Sequence, residues 1–157
     1  MSTIEESVVV DVPLTTVYNQ WTQFESFPQF MEGVQSVRQL DDRRLHWAAE
    51  IGGKRREWDA EITEQRPDER VAWRSTSGAP NGGAVTFHRL GDEQTKVMVQ
   101  IDYEPEGAIE SIGEAVGMVE RRTKGDLERF KEFIESRGTE TGEWRGEINR
   151  PDQPQAI

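Results

Sequence analysis

What most constrains this chain is a change of hydrophobic period partway along it. From Val34 to Tyr103 apolar and polar residues alternate, and turn residues interrupt the alternation at Asp41-Asp42, Gly52-Gly53, Pro67-Asp68, Asn81-Gly82-Gly83 and Gly91-Asp92. A period of two belongs to strands that bury one face and wet the other, and interruptions at this spacing predict hairpins in succession. From Ile109 to Arg137 the apolar spacing becomes three and four, through Ile109, Ile112, Val116, Val119, Leu127, Phe130 and Ile134, with Thr123 in the intervening slot. That is one amphipathic helix, ~43 Å long at 1.5 Å per residue, enough to cross a whole sheet face. Gly138 is placed to cap it.

Ahead of the alternating region, Ser7 to Val12 is a β-branched run stopped by Pro13. Pro13 suits the first turn of a short helix over Leu14 to Trp21, with Val17 and Trp21 on one face. Phe24, Phe27 and Phe30 recur at threes around Pro28, which leaves a turn or two of helix before Gly33. The expectation is an α+β fold of helix-grip type: a curved antiparallel sheet of seven strands around a long C-terminal helix, with two short helices after the first strand. The domain is expected to end at 138. Residues 139–157, with Gly142, Gly146, Pro151 and Pro154 among scattered charges, read as a flexible polar tail.

Parity assigns the faces. Leu45, Trp47, Ala49 and Ile51 share one side of their strand, and so do Trp58, Ala60 and Ile62, Val71, Trp73 and Ser75, Val85 and Phe87, and Val97, Val99, Ile101 and Tyr103. Glu57, Asp59 and Glu61 take the other side, and both histidines, His46 and His88, have outward parity. The inner face is therefore aromatic and the usual general base is absent from it.

Composition removes whole classes of chemistry. Thirty acidic against 19 basic residues leave a formal charge of -11, which opposes binding to a phosphate backbone or an anionic bilayer. With no cysteine, a thiolate nucleophile, a disulfide and a Cys-ligated metal are excluded, and two histidines without HxxH spacing make no zinc site. No metal or other cofactor is expected. The N-terminus carries Glu5 and Glu6 where a secretory signal needs positive charge, and no run of apolar residues is long enough to span a bilayer, so a cytoplasmic protein is expected.

Several stretches resemble one family of known fold: Val17-Tyr18 to Trp21, Phe27-Pro28-Gln29-Phe30-Met31, Arg56-Glu57-Trp58-Asp59-Ala60-Glu61-Ile62, Gly83 to Phe87, Tyr103-Glu104-Pro105 and Leu127-Glu128-Arg129-Phe130-Lys131. Together, over residues 3 to 138, they resemble the START/Bet v1-like (SRPBCC) superfamily, and within it the bacterial polyketide cyclase/dehydrase group. The resemblance implies a pocket between sheet and long helix that takes up a lipid, quinone or aromatic polyketide. It implies no particular catalysis, because the superfamily holds both enzymes and carriers and the matching residues determine shape.

Trp47, Trp58, Trp73, Phe87, Tyr103, Val116 and Thr123 are the candidate ligand-binding residues, although any of the aromatics could equally be core filler. Thr123 lies near the middle of the helix's apolar stripe and Glu120 at its border. A cyclase would need a base and an enolate-stabilising group, for which Arg56, Tyr103 and Glu120 are the candidates, acting without a metal or covalent nucleophile. The alternatives are thus a binding or carrier protein, an aromatase/cyclase on the same scaffold, and an interaction module with a filled pocket.

Overall fold

The computed structural model describes residues 2–51, 53–78, 81–103 and 112–149. Seven strands, β1 (Ser2–Val10), β2 (Val34–Gln39), β3 (Arg44–Ile51), β4 (Lys54–Arg66), β5 (Arg70–Ser75), β6 (Asn81–Gly91) and β7 (Gln94–Tyr103), form one antiparallel sheet in the order β1-β7-β6-β5-β4-β3-β2. The first strand of the chain adds to the meander beside its last, Ser2 opposite Tyr103 through Val10 opposite Thr95, so β1 and β2 are the sheet's edges. Between β1 and β2 lie α1 (Leu14–Trp21) and a 3-10 segment (Phe24–Gln29), and α2 (Ile112–Arg137) follows the sheet. This is the helix-grip arrangement expected from the change of period.

Two boundaries differ from the sequence reading. β1 starts at Ser2, because Ile4 extends the inward parity of Val8 and Val10 to the end of β7. Asn81-Gly82-Gly83, read as a turn, opens β6 instead: Gly82 pairs with Arg74 and Gly83 with Trp73. Gly83 is required there by close approach, since a Cβ would stand 2.1 Å from the Gln100 carbonyl oxygen and 3.0 Å from the Trp73 ring. The predicted helix start at Ile109 lies outside the described residues. The other end behaves as expected, with Gly138 at φ 74° donating its N–H to Ile134 O at 2.9 Å.

Three irregularities shift the register, one in β2 between Val34 and Ser36, one in β4 between Ile62 and Glu64 and one in β6 between Arg89 and Gly91. Beyond the β4 bulge the parity inverts. Glu64 pairs with Ala72 on the outer face, where Arg70 and Arg66 hold its carboxylate at 2.8 and 3.0 Å, while Gln65 turns inward to Tyr18.

The core sits between the sheet and the C-terminal half of α2. Trp21 meets Phe130 at 4.9 Å and Phe27 at 5.4 Å, Phe30 meets Phe130 at 5.2 Å, and Tyr18 meets Phe87 edge-on at 5.3 Å. Leu127, Phe130 and Ile134 are buried here, as the helical spacing requires.

Residues 139–149, which composition assigns to a flexible tail, instead lie against this end of the domain. Ile148 forms a two-bond bridge with Gln65, and its side chain is buried. Thr141 N donates to Gln20 Oε1 at 2.8 Å, Trp144 N to Thr22 Oγ1 at 3.1 Å, and Arg145 Nη1 to Asn19 Oδ1 at 2.6 Å. A polar segment orders in this way because its backbone groups find fixed side-chain partners on α1 and just after it.

Candidate functional site

α2 lies across the sheet and is tied down on both flanks. On the β1 side, Lys131 Nζ donates to Val9 O at 3.0 Å and Glu135 accepts the Asp11 N–H at 2.8 Å. On the β2 side, Arg129 Nε donates to Phe30 O at 2.9 Å, and Asp126, paired with Arg129, accepts the Glu32 N–H at 2.9 Å. Burial pushes the Asp126 carboxyl upward, against the opposing pull of that N–H and of Arg129.

The interior under this bridge has two unlike ends. The end near α1 is packed solid by the aromatic cluster described above. Toward the β3–β4 and β5–β6 hairpins the inner face carries Trp47, Trp58, Trp73 and Ile101, all half-buried. Trp47 and Trp58 are directly opposed across β3 and β4, their rings parallel within 7° and 5.8 Å apart. Phe27 touches Trp47 at 5.8 Å, so the ladder runs from the packed end into the open one. Trp73 lies over Gly83 and directs its indole N–H toward Asn81 Oδ1 at 3.4 Å, too long for a strong bond.

Phe87 is 5% exposed and belongs to the packed end, in contact with Tyr18 and Trp21. Thr123 is 8% exposed and its hydroxyl donates to Val119 O at 2.8 Å within its own helix. The side chains of Tyr103 and Val116 lie outside the described residues. Arg56 shares the inner parity of Trp58 but is exposed near the start of β4, at the rim. Glu120 does not border the interior: it is exposed, because a 100° step from half-buried Val119 carries it out of the apolar stripe.

His46 takes the outward parity read from the sequence. Its Nε2 lies 3.0 Å from Glu57 Oε1 and its Nδ1 2.7 Å from Asp59 Oδ1, and those two contacts, Glu57 first, raise its pKa above the usual histidine value. His88 is exposed beside Thr86.

One inward residue escaped the sequence reading. Glu6 follows the parity of Ile4, Val8 and Val10, stands opposite Val99 and is half-buried. The signal for it is available in the register of the first strand, which extends back from Ser7 to Ser2.

Two depressions bounded by described residues lie elsewhere. One, of about 400 Å³, is at the turn Asp41 to Arg44 beside Glu61. The other, of about 220 Å³, is on the outer sheet face around Glu64, Arg70, Ala72 and Gln100. Both are open and charged, unlike the Trp-lined inner face. No helix among the described residues is long and apolar enough to cross a membrane, and no group of metal-binding side chains is found among them.

The family described as polyketide cyclase/dehydrase and lipid transport matches residues 10–132. An uncharacterised 17.2 kDa protein of Streptomyces lincolnensis is 58% identical over 149 residues, 94% of this chain and 99% of that one. A crystal structure from Deinococcus radiodurans is 28% identical with a TM-score of 0.68, covering 86% of this chain and 98% of that one. The Zhui aromatase/cyclase from a Streptomyces species matches with a TM-score of 0.74 at 18% identity, over 87% and 94% of the two chains, a likeness of fold. The chain belongs to the polyketide cyclase/dehydrase and lipid transport family.

Proposed function

We propose that this family member binds an apolar small molecule, a lipid, quinone or aromatic polyketide, between the inner sheet face and α2. The observation that carries the reading is the half-buried set Trp47, Trp58 and Trp73 on an inner face whose other end is fully packed. A buried indole removes on the order of 200 Å² from water, so at ~25 cal/mol per Å² the part of each Trp left in water leaves at most about 2 kcal/mol unrealised. A chain selected only to fold would cover three such rings. A flat apolar ligand recovers that burial by extending the Trp47–Trp58 stack, with Thr123, Tyr103 and Val116 assigned to the same wall and Arg56 to its rim.

An aromatase/cyclase acting in the same space is the second reading, favoured by the family's description. It asks Arg56, Tyr103 or Glu120 to reach the ligand, and exposed Glu120 is badly placed for that. An interaction module with a filled pocket is the third, and the half-wet tryptophans count against it.

Native mass spectrometry of the gently purified full chain, followed by denaturation and identification of what is released, tests the proposal. An apolar adduct lost on denaturation supports it. A clean apo mass, with no thermal shift from fatty acids, quinones or aromatic polyketides, overturns it.

A further inference from the structure

Glu6 brings a negative charge to the inner face. Register places it opposite Val99, between Ile4 and Val8, both of inward parity, and it is half-buried while its neighbours Glu5 and Ser7 are exposed. Among the described residues of inward parity on β1, β3, β5, β6 and β7 it is the one carboxylate; the one Lys or Arg there, Arg89, is exposed near the far end of β6 and paired with Asp92. It has no ion pair or side-chain hydrogen bond among the described residues.

α2 faces it. Val9 is level with Lys131 and Asp11 with Glu135, so two strand residues, ~6.6 Å, correspond to four helix residues, ~6 Å. Extrapolated back along both elements, Glu6 comes level with Thr123 to Gly125. Thr123 is buried and its hydroxyl proton is committed to Val119 O, which leaves it no proton to give Glu6. Lys124, the helix cation at this level, is exposed and forms no ion pair with Glu6 among the described residues. The stretch 103–116 offers no alternative, since it contains four glutamates and no Lys, Arg or His. No described cation is therefore paired with Glu6 on this flank of the interior.

A carboxylate kept partly out of water without a partner is costly unless something donates to it. We infer that Glu6 is the specificity-determining residue of the cavity and that the ligand is an apolar body bearing a hydrogen-bond donor, a hydroxyl or a protonated amine, aimed at β1. The inference rests on the proposed ligand cavity and narrows it, since a carboxylate-bearing amphiphile such as a free fatty acid is disfavoured.

The test is a tryptophan-fluorescence titration of the full chain with four naphthalene probes: 2-methylnaphthalene, 2-naphthol, 2-naphthylmethylammonium and 2-naphthoate. The wild type should bind the phenol and the ammonium about tenfold more tightly than the carboxylate, the scale of one charge-assisted contact. Glu6→Leu should bring the four within about twofold, and Glu6→Gln should retain the phenol while losing the ammonium preference. Glu5→Gln removes the same charge from the outer face of the same strand and should leave the order unchanged, which separates Glu6 from the net charge of -11. Circular dichroism confirms that each variant is folded. If 2-methylnaphthalene binds but Glu6→Leu keeps the wild-type order, or Glu5→Gln abolishes it, the assignment of Glu6 is wrong while the cavity stands. If no probe binds the wild type, the cavity reading falls and this inference with it.

Discussion

A single histidine shows how strand register turns parity into electrostatics. His46 and Asp59 are directly opposed on the outer face, and Glu57 lies diagonally, so both imidazole nitrogens meet a carboxylate. The histidine pKa is raised and that of Glu57 is lowered, mainly by the bond to His46 and then by Arg55. A raised histidine stabilises the fold fully below its unfolded value of about 6.5, and that contribution is lost as pH rises through the folded value. Glu57 contributes above its unfolded value, and its share is lost as pH falls through its lowered one. The Tm difference between wild type and His46→Gln should therefore be largest near pH 6 and shrink steadily on the alkaline side, measured by calorimetry from pH 5 to 9. A difference that grows with pH would remove the charged histidine from the account. Gly83 makes the steric counterpart. Gly83→Ala drives a methyl group into the Gln100 carbonyl and the Trp73 indole, so it should lower Tm and alter the near-UV signal of Trp73, whereas Gly53→Asn, at a turn position with φ 79° and open space, should be nearly neutral. The outward direction of His46 was legible from alternation alone. Its partners were not, because they depend on which residue of β4 the hairpin sets opposite.

At the level of elements, long periodic segments were the most readable and short irregular ones the least. α1, the strand order and the C-terminal end of α2 follow from spacing, Pro13 and Gly138. The β4 bulge does not, since a single extra residue inverts parity without any mark in the Ile62 to Gln65 composition, and it decides that Gln65 rather than Glu64 faces Tyr18. The segment 139–149 was misread for a related reason: its Gly and charge content predicts disorder, but its partners are side chains of Asn19, Gln20 and Thr22, more than 100 residues away in sequence. Gln20 is fully buried and gives its amide to Ser26 and Thr141 while accepting from the Thr141 backbone. Gln20→Ala should release the segment, leaving Thr141 N without that acceptor, at a cost of about 1–3 kcal/mol. Arg145, held by Asn19 and Asp68 and set over the Tyr18 ring, is then exposed to protease. Limited trypsin digestion followed by mass spectrometry should show slow cleavage after Arg145 in the wild type and rapid cleavage in the variant. Equal rates would mean that the segment is held by Ile148 alone.

The molecule as a whole separates two jobs along one helix, and the separation can be measured. Its C-terminal half, with Phe130 and Ile134 fully buried, packs the aromatic plug, while the tryptophans of the β3–β4 and β5–β6 end remain half-wet. Stability and ligand affinity should therefore respond to different substitutions. Phe130→Ala removes a ring that touches Trp21 and Phe30, and should cost about 3–5 kcal/mol in urea unfolding. Trp58→Ala removes a partly exposed ring whose described ring contact is the Trp47 stack, so it should cost less, about 2–3 kcal/mol, yet weaken binding of an apolar naphthalene probe by about tenfold or more. Probe affinity of Phe130→Ala, measured where the variant is still folded, should stay within about threefold of wild type, since independent sites change separately. The opposite assignment, with Phe130→Ala abolishing binding and Trp58→Ala costing most of the stability, would place the ligand in the plug and make the tryptophans structural. Alternation and helical spacing had located an aromatic inner face without dividing it. The division depends on α1 and the 3-10 segment filling one end of the concavity, a long-range packing outcome in which Phe24, Phe27 and Phe30 are buried and Trp47, one contact further along, is not.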